Sequence, residues 1–370
     1  MARLITRPTL IVWATLFLGA LAPNLFVLAP RYLAGRGYGE DQIGLVMGAA
    51  NIAMLSTMHL IGRLTARLGH RAIIAAGCLI VAAGCALFEL AGHVELEVGA
   101  HAAARAVQGL GWGWILVGTG SFVAETAPAD RLAQALGVAG VLTLASQAVG
   151  PSVGELLERA AGWPWVFRAG AAGGVAAALV ALLLPRVDEQ PHAPADQRLG
   201  AWPVLVATGL AGFGFGAVWS FLSDWSDQAG VGGVSPFFVS YVAAAISTRL
   251  FLGHLPDRFG RRATSAPALI GSAAALLWLA QLHARWHLVG IGLLFGLSHG
   301  VHYPSLQAMV VERSGARSRA IAASSFSFGV GTVTAAFGLG ALAHAAGYPA
   351  IYLVAAGAAV AASTVVWTRT

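Results

Sequence analysis

Long apolar runs, broken at short intervals by small polar and charged clusters, make up almost the whole chain. A run of about 20 apolar residues is long enough to cross the hydrocarbon core of a bilayer as a helix. The pattern predicts twelve such helices, over about 9–32, 43–61, 72–92, 101–124, 132–156, 162–184, 201–222, 235–252, 264–283, 287–310, 320–344 and 349–367. Pro23, Asn24 and Pro30 interrupt the first. The seventh is expected to end in a polar tail, Ser223-Asp224-Trp225-Ser226-Asp227. The least apolar long stretch, 185–200, reads as a cytoplasmic hinge linker. It divides the chain into an N-terminal six-helix bundle, 1–184, and a C-terminal one, 201–370.

Composition agrees with the pattern. The 370 residues are 57% hydrophobic and 10% charged, against roughly a quarter charged in a soluble domain. Such a chain is a polytopic membrane protein with little left over for a soluble domain, which disfavours a sensor or assembly protein with an output module. The 47 glycines suit closely packed membrane helices. Every basic residue is arginine, and the net charge is +6. Nucleic acid binding is one reading of that excess, but topology explains it better. With both termini in the cytoplasm, five arginines (Arg31, Arg36, Arg159, Arg168 and Arg285) lie outside and fifteen inside, leaving Arg105 and Arg249 within helices. A bacterial inner membrane is the expected location. Cys78 and Cys85, seven apart in one apolar segment, read as core residues, and no metal site is expected. The basic, apolar N-terminus imitates a signal peptide. Its long run without a convincing cleavage site reads as a retained first helix.

The stretch Gly253-His-Leu-Pro-Asp257-Arg258-Phe-Gly260-Arg261-Arg262 is wedged between two apolar runs. A block with three arginines and an aspartate cannot sit in hydrocarbon, so it forms a tight loop at a membrane surface. A degenerate copy, Gly62-Arg-Leu-Thr-Ala66-Arg67-Leu-Gly69-His70-Arg71, stands 191 residues earlier (62 against 253). Ala66 replaces the aspartate and His70 one arginine. Two halves with the same loop in the same place signal a duplicated transporter.

These loops resemble the signature of the major facilitator superfamily, found between helices 2 and 3 and again between 8 and 9. The resemblance implies two pseudo-symmetric six-helix bundles around a central cavity. It also implies a gating role for Asp257, Arg258 and Arg262, and for Gly62, Gly69 and Arg71 in the weaker copy, whose latch lacks its aspartate. Arg105-x-x-Gln108-Gly-x-Gly resembles a further family motif, associated with proton coupling, although a snorkelling arginine is the alternative. Gly150-Pro151-x-x-Gly154 resembles the motif typical of family exporters, with Ser146 where another glycine is often found.

Other residues are weighed by their chemistry. Arg249 is either a substrate contact or a helix-end arginine of the latch, with Asp224, Asp227 and Glu312 as candidate partners. Asp224 and Asp227 titrate if buried, but their Ser- and Trp-rich surroundings favour carboxylates at the outer surface. His299 and His302 share a helix face beside Tyr303 and either relay protons or form structural hydrogen bonds. Asn24, Asn51, Gln147 and Trp219 are isolated in apolar surroundings. The resemblance places helices 1, 4, 7 and 10 innermost, which makes Asn24, Gln108, Trp219 and His302 cavity candidates. Trp112 and Trp114 read as lipid-facing. No phosphate-binding loop, zinc set or nucleophile–base arrangement is evident, so neither ATP nor a cofactor is expected and the chain does not read as an enzyme. The preferred reading is proton-coupled efflux of a small organic compound by a monomer. Import of a sugar, carboxylate or other metabolite is the alternative.

Overall fold

A computed structural model describes residues 5–94, 97–128, 131–187, 201–314 and 317–369. Among them the chain is helical, without strands. From residue 188 to 200, the expected linker lies outside the described residues. The long helices are α1 (Arg7–Gly35), α2 (Glu40–Leu68), α3 (His70–Ala91), α4 (Glu97–Thr126), α5 (Leu132–Ala161), α6 (Trp163–Ala181), α7 (Trp202–Gln228), α8 (Ser235–Leu252), α9 (Arg261–Leu279), α10 (Arg285–Glu312), α11 (Arg317–Ala346) and α12 (Tyr348–Arg369). A single helical turn, Leu255–Phe259, lies between α8 and α9.

Two local rules set the irregular places. In α1, Pro23 and Pro30 withhold backbone donors, and the chain passes through a buried 3-10 turn at Phe26–Leu28. The end of α8 widens into a π turn over Thr248–Leu252, where Arg249 sits. Such turns occur often at functional sites.

Eight helices are long and apolar enough on their own to cross a membrane, and α2, bent by 60° next to His59, makes a ninth. The twelve expected segments are present, but α4, α9 and α10 fall short of that apolarity. The reason is chemical: α4 carries Arg105 and Gln108, α9 opens on Arg261-Arg262, and α10 carries His287, His299 and His302. Leucines such as Leu79, Leu90, Leu179 and Leu277 point outward around the bundles. A bilayer, unlike water, solvates such a surface without cost.

Two compact units emerge. The first comprises Met1–Ala29 with Ala49–His192, and the second Pro30–Gly48 with Ala193–Thr370. In the first, α3 packs on α4 and α6, and α1 on α5 and α6. In the second, α9 packs on α10 and α12, and α7 on α11 and α12. The pairing is the same six helices later, as a duplicated chain requires.

One crossing in the first unit depends on small residues. A Cβ on Gly150 would stand 2.7 Å from the Asn24 Cβ and 2.8 Å from the Asn24 carbonyl carbon, and one on Gly154 would stand 2.7 Å from Leu28. The Gly150-Pro151-x-x-Gly154 motif therefore lets α5 lie directly against the broken part of α1. Gly150→Val is expected to destabilise the purified protein by about 1–3 kcal/mol through overpacking. Gly137→Ala, where an added Cβ would meet nothing within 4 Å, is the neutral control. Equal unfolding midpoints for the two variants would refute the crossing.

Candidate functional site

The signature loops come first because their conformations are fixed by glycine. Gly260 and Gly69, at φ +90° and +79°, begin α9 and α3 in the left-handed region that L side chains avoid. Beyond Gly260, Arg261 Nε lies 2.6 Å from Glu312 Oε1 at the end of α10, and its Nη2 lies 3.4 Å from Asp257 Oδ1. The Arg258 guanidinium covers the Phe259 ring at 5.4 Å, and that of Arg262 covers Trp367 at 5.0 Å. Asp257, Gly260, Arg261, Arg262 and Glu312 line an open cavity of about 410 Å³. The ionic link to a neighbouring helix end thus belongs to Arg261. Arg258 and Arg262, to which the resemblance gave it, spend their guanidinium faces on aromatic rings.

The first loop contains a feature that its sequence hid. His70 is buried, and its Nε2 stands 3.4 Å from Glu125 Oε1 at the end of α4. His70 is 191 residues before Arg261 and Glu125 is 187 before Glu312, so the pair repeats the Arg261–Glu312 link with imidazole for guanidinium. The signals were the alignment of His70 with Arg261 and offsets that differ by only four residues. Gly62 and Arg67 are exposed and Arg71 partly so.

The polar core of the first unit centres on α4. Arg105, only 7% exposed, donates from Nη1 to Gln108 Oε1 at 2.5 Å and lies 5.5 Å over the Phe26 ring. Gln108 Nε2 reaches Cys85 Sγ at 3.7 Å. The burial rules out a snorkelling arginine. Asn24 Nδ2 donates to the Ala20 carbonyl and to Ser146 Oγ, at 2.8 and 2.9 Å. Ser146, the departure from the exporter motif, is therefore the partner of a cavity candidate. Gln147 Oε1 is buried without a protein partner among the described residues. Trp112 and Trp114 are half-buried, and Trp114 lies against Gly77.

In the second unit, α7, α8, α10 and α11 form an aromatic cluster around His299. Its Nδ1 shares a 2.8 Å hydrogen bond with Tyr241 Oη, a partner that sequence inspection missed. Phe215 stacks on Trp219 at 3.8 Å, and His299 lies 5.2 Å from Tyr303 and 5.3 Å from His302. His299 Nε2, His302 Nδ1 and Ser272 Oγ are buried without protein partners among the described residues. All three residues border an enclosed cavity of about 10 Å³, close to what one water needs.

Of the two carboxylates of α7, Asp227 is exposed at the helix end, whereas Asp224 is placed differently from the expectation. The helix does not stop at 222 but runs to Gln228, and Asp224 is buried, 4% exposed. It accepts hydrogen bonds from the Tyr348 hydroxyl and, at 3.3 Å, from Gln228 Nε2. These donors replace the water that an outer-surface carboxylate would have used. Asp227 pairs with Arg31 at 2.5 Å, and Glu40 lies 3.3 Å from His344. The three acids expected beside Arg249 are thus held by Tyr348, Arg31 and Arg261, and Arg249 pairs with none of them.

Two helical units with matching loops, buried polar groups in apolar helices and a bilayer-facing exterior define a membrane carrier built by duplication. The family model of the Major Facilitator Superfamily matches residues 9–208 and 204–370, and the chain belongs to that family. An uncharacterized MFS-type transporter of Mycobacterium tuberculosis is 33% identical over 167 residues, 44% of this chain and 28% of that protein. The chain therefore spans well under two thirds of that relative. An uncharacterized MFS-type transporter of Salmonella typhimurium is 26% identical over 81% of this chain and 80% of its own. A multidrug resistance protein B homolog of M. tuberculosis is 27% identical over 50% of this chain and 33% of its own. Among solved structures, the nucleoside transporter NupG superposes with a TM-score of 0.78 at 14% identity, over 97% of this chain and 99% of that one. The human organic anion transporter MFSD10 does so at 0.71 and 18%, with the same coverage. At those identities the likeness establishes the fold alone.

The two links differ in burial, which orders their energetic effects. Glu125→Ala strands the buried His70 and is expected to cost about 1–3 kcal/mol. Glu312→Ala breaks a largely exposed pair and is expected to cost about 1 kcal/mol or less. Thermal unfolding of the two purified variants checks the order, and a reversal would refute it. Tyr348→Phe removes the hydroxyl donor from buried Asp224 and is expected to fall with Glu125→Ala.

Proposed function

We propose that this transporter exports a small organic compound in exchange for protons, by rocking of the halves 1–184 and 201–370 about a fixed site. The observation that carries the reading is the buried Asp224. A carboxylate inside a membrane helix is costly and is kept where it handles ions or protons. Asp224 is held by the neutral donors Tyr348 and Gln228 and faces the carboxylates of Asp227 and Glu40. A proton gained there removes charge from an acidic cluster at the meeting of α7, α12 and the Pro30–Gly48 segment, which alternating access has to open and close. His299 and His302 are further candidates for the proton path, with Asn24, Gln108, Gln147, Trp219 and Tyr303 as cavity residues. In the proposed orientation, with both termini in the cytoplasm of a bacterial cell, the signature loops lie on the cytoplasmic side. The working unit is a monomer.

The direction rests on Gly150-Pro151-x-x-Gly154, which brings α5 against the broken α1, and agrees with the likeness to a multidrug resistance homolog. The alternative, import of a polar metabolite, draws on the paired groups Arg105–Gln108 and Asn24–Ser146, which suit a hydroxylated or carboxylated cargo.

The test uses everted membrane vesicles with an imposed pH gradient. Export predicts uptake into everted vesicles that collapses with the gradient. Asp224→Asn should abolish this gradient-driven uptake while leaving substrate-for-substrate exchange. Gradient-driven uptake only into right-side-out vesicles would establish import. A fully active Asp224→Asn variant would remove that residue from coupling.

A further inference from the structure

We propose that the cargo is an organic anion bearing a flat unsaturated ring, with its charge held by Arg249 and its ring laid on the shelf formed by Phe215 and Trp219. The inference rests on the reading of the chain as a carrier and is independent of direction.

The argument begins with charge. From residue 201 to 369 the sequence holds four carboxylates: Asp224, Asp227, Asp257 and Glu312. Asp224 accepts from Tyr348, Asp227 faces Arg31, and both Asp257 and Glu312 face Arg261. None of these four is paired with Arg249. This guanidinium sits in the π turn of α8, partly buried, with its Nε enclosed and without a partner among the described residues. Tyr241, His299 and Tyr303 lie within its electrostatic reach, and none of these side chains supplies a negative charge at neutral pH. An arginine in a membrane-spanning helix is tolerated when it pairs or faces a hydrated path. A cargo that brings its own negative charge supplies the missing half of the pair.

Ring chemistry comes from the neighbours. Phe215 and Trp219, one helical turn apart on α7, stack at 3.8 Å with planes 13° apart. Phe328 closes on Phe215 at 5.3 Å and on Tyr303 at 5.1 Å. All four rings are only partly buried, whereas His299 among them is buried. Partly exposed rings of this kind offer an aromatic face, and Tyr303 among them lies within electrostatic reach of the Arg249 guanidinium. A flat ring stacks on such a face, and a carboxylate or sulfonate on the same molecule meets the guanidinium. A lipophilic cation would find no countercharge there. The first unit independently shows the same deficit: Arg105 is buried, its Nε lacks a partner, and its hydrogen bond goes to neutral Gln108.

The test is ligand binding to the purified full-length chain in a neutral detergent, by thermal shift and calorimetry. The probes are 1-naphthoate, cyclohexanecarboxylate, tetraphenylphosphonium and phosphatidylglycerol. Naphthoate is expected to stabilise the protein most and cyclohexanecarboxylate less, with no stabilisation by the phosphonium. Arg249→Gln should weaken naphthoate about tenfold or more, the loss of one charge-assisted contact. Arg249→Lys should recover part of the affinity. Trp219→Leu should bring the two carboxylates closer in affinity, and this variant tests the shelf even if Arg249→Gln does not fold. Stabilisation by the phosphonium equal to that by naphthoate would overturn the proposal. So would naphthoate binding indifferent to Arg249→Gln, or stabilisation by phosphatidylglycerol alone, which would make Arg249 a lipid contact. Gradient-driven export of a cation in the vesicle assay would sink this inference and leave the carrier reading intact. Naphthoate binding without any proton-driven transport would remove the proposed proton coupling and leave this inference intact.

Discussion

Charge within an apolar helix bundle has to be matched at once, because hydrocarbon offers no water to do it later. This chain has 16 acidic and 22 basic residues, so its arginines cannot all be paired. The structure pairs its acids mostly at helix ends. Glu312 joins a loop to a helix end, Asp227 meets Arg31, Glu40 meets His344, and Asp224 is sealed by a tyrosine. Arg105, buried in α4, and Arg249, in the π turn of α8, receive none. Their placement costs free energy in the empty carrier unless water or cargo reaches them, and that cost favours the binding of an anion.

The duplication is kept in geometry more than in residue type. Gly69 and Gly260 have the same backbone role, and their helices pack on equivalent neighbours. The ionic link beyond each glycine has diverged. Arg261 is permanently charged, and its pair with Glu312 sits near water, where ion pairs contribute little. His70 is sealed in the protein, 3.4 Å from Glu125. One unit therefore holds its loop end with a half-exposed guanidinium pair and the other with a buried imidazole beside a carboxylate, so the two links are not chemically equivalent.

What the sequence made legible follows from the range of each interaction. The signature loops could be read directly because a charged block between apolar runs has one placement, and the helical membrane fold followed from the length and apolarity of those runs. Burial within a helix end could not be read. Asp224 looked like an outer-surface carboxylate because serine, aspartate and tryptophan alternate around it, and its disguise is removed only by Tyr348, 124 residues away. Arg249 was offered Asp224, Asp227 and Glu312 as candidate partners, yet these meet Tyr348, Arg31 and Arg261, all distant in sequence. Tyr241 was invisible as a partner of His299 because an apolar stretch gives no sign of which hydroxyl faces inward. Aromatic stacking was half legible: Phe215 and Trp219 at i and i+4 share a face, but Phe328 arrives from another helix.

One helix joins the proposed chemistry of protons to that of cargo. Phe215, Trp219 and Asp224 all ride on α7, a continuous 27-residue helix without an internal break. Trp219 and Asp224 are five residues apart, a rise of about 7.5 Å along the axis. A rigid element of that length does not bend between the two, so a shift that frees Asp224 from Tyr348 also moves the aromatic shelf against α10 and α11. Coupling then needs no long relay of side chains. It needs only that Asp224 prefer one position of α7 when charged and another when neutral, and that the ring of the cargo favour the opposite choice, since a shared two-state element biased by both sites is sufficient for linkage.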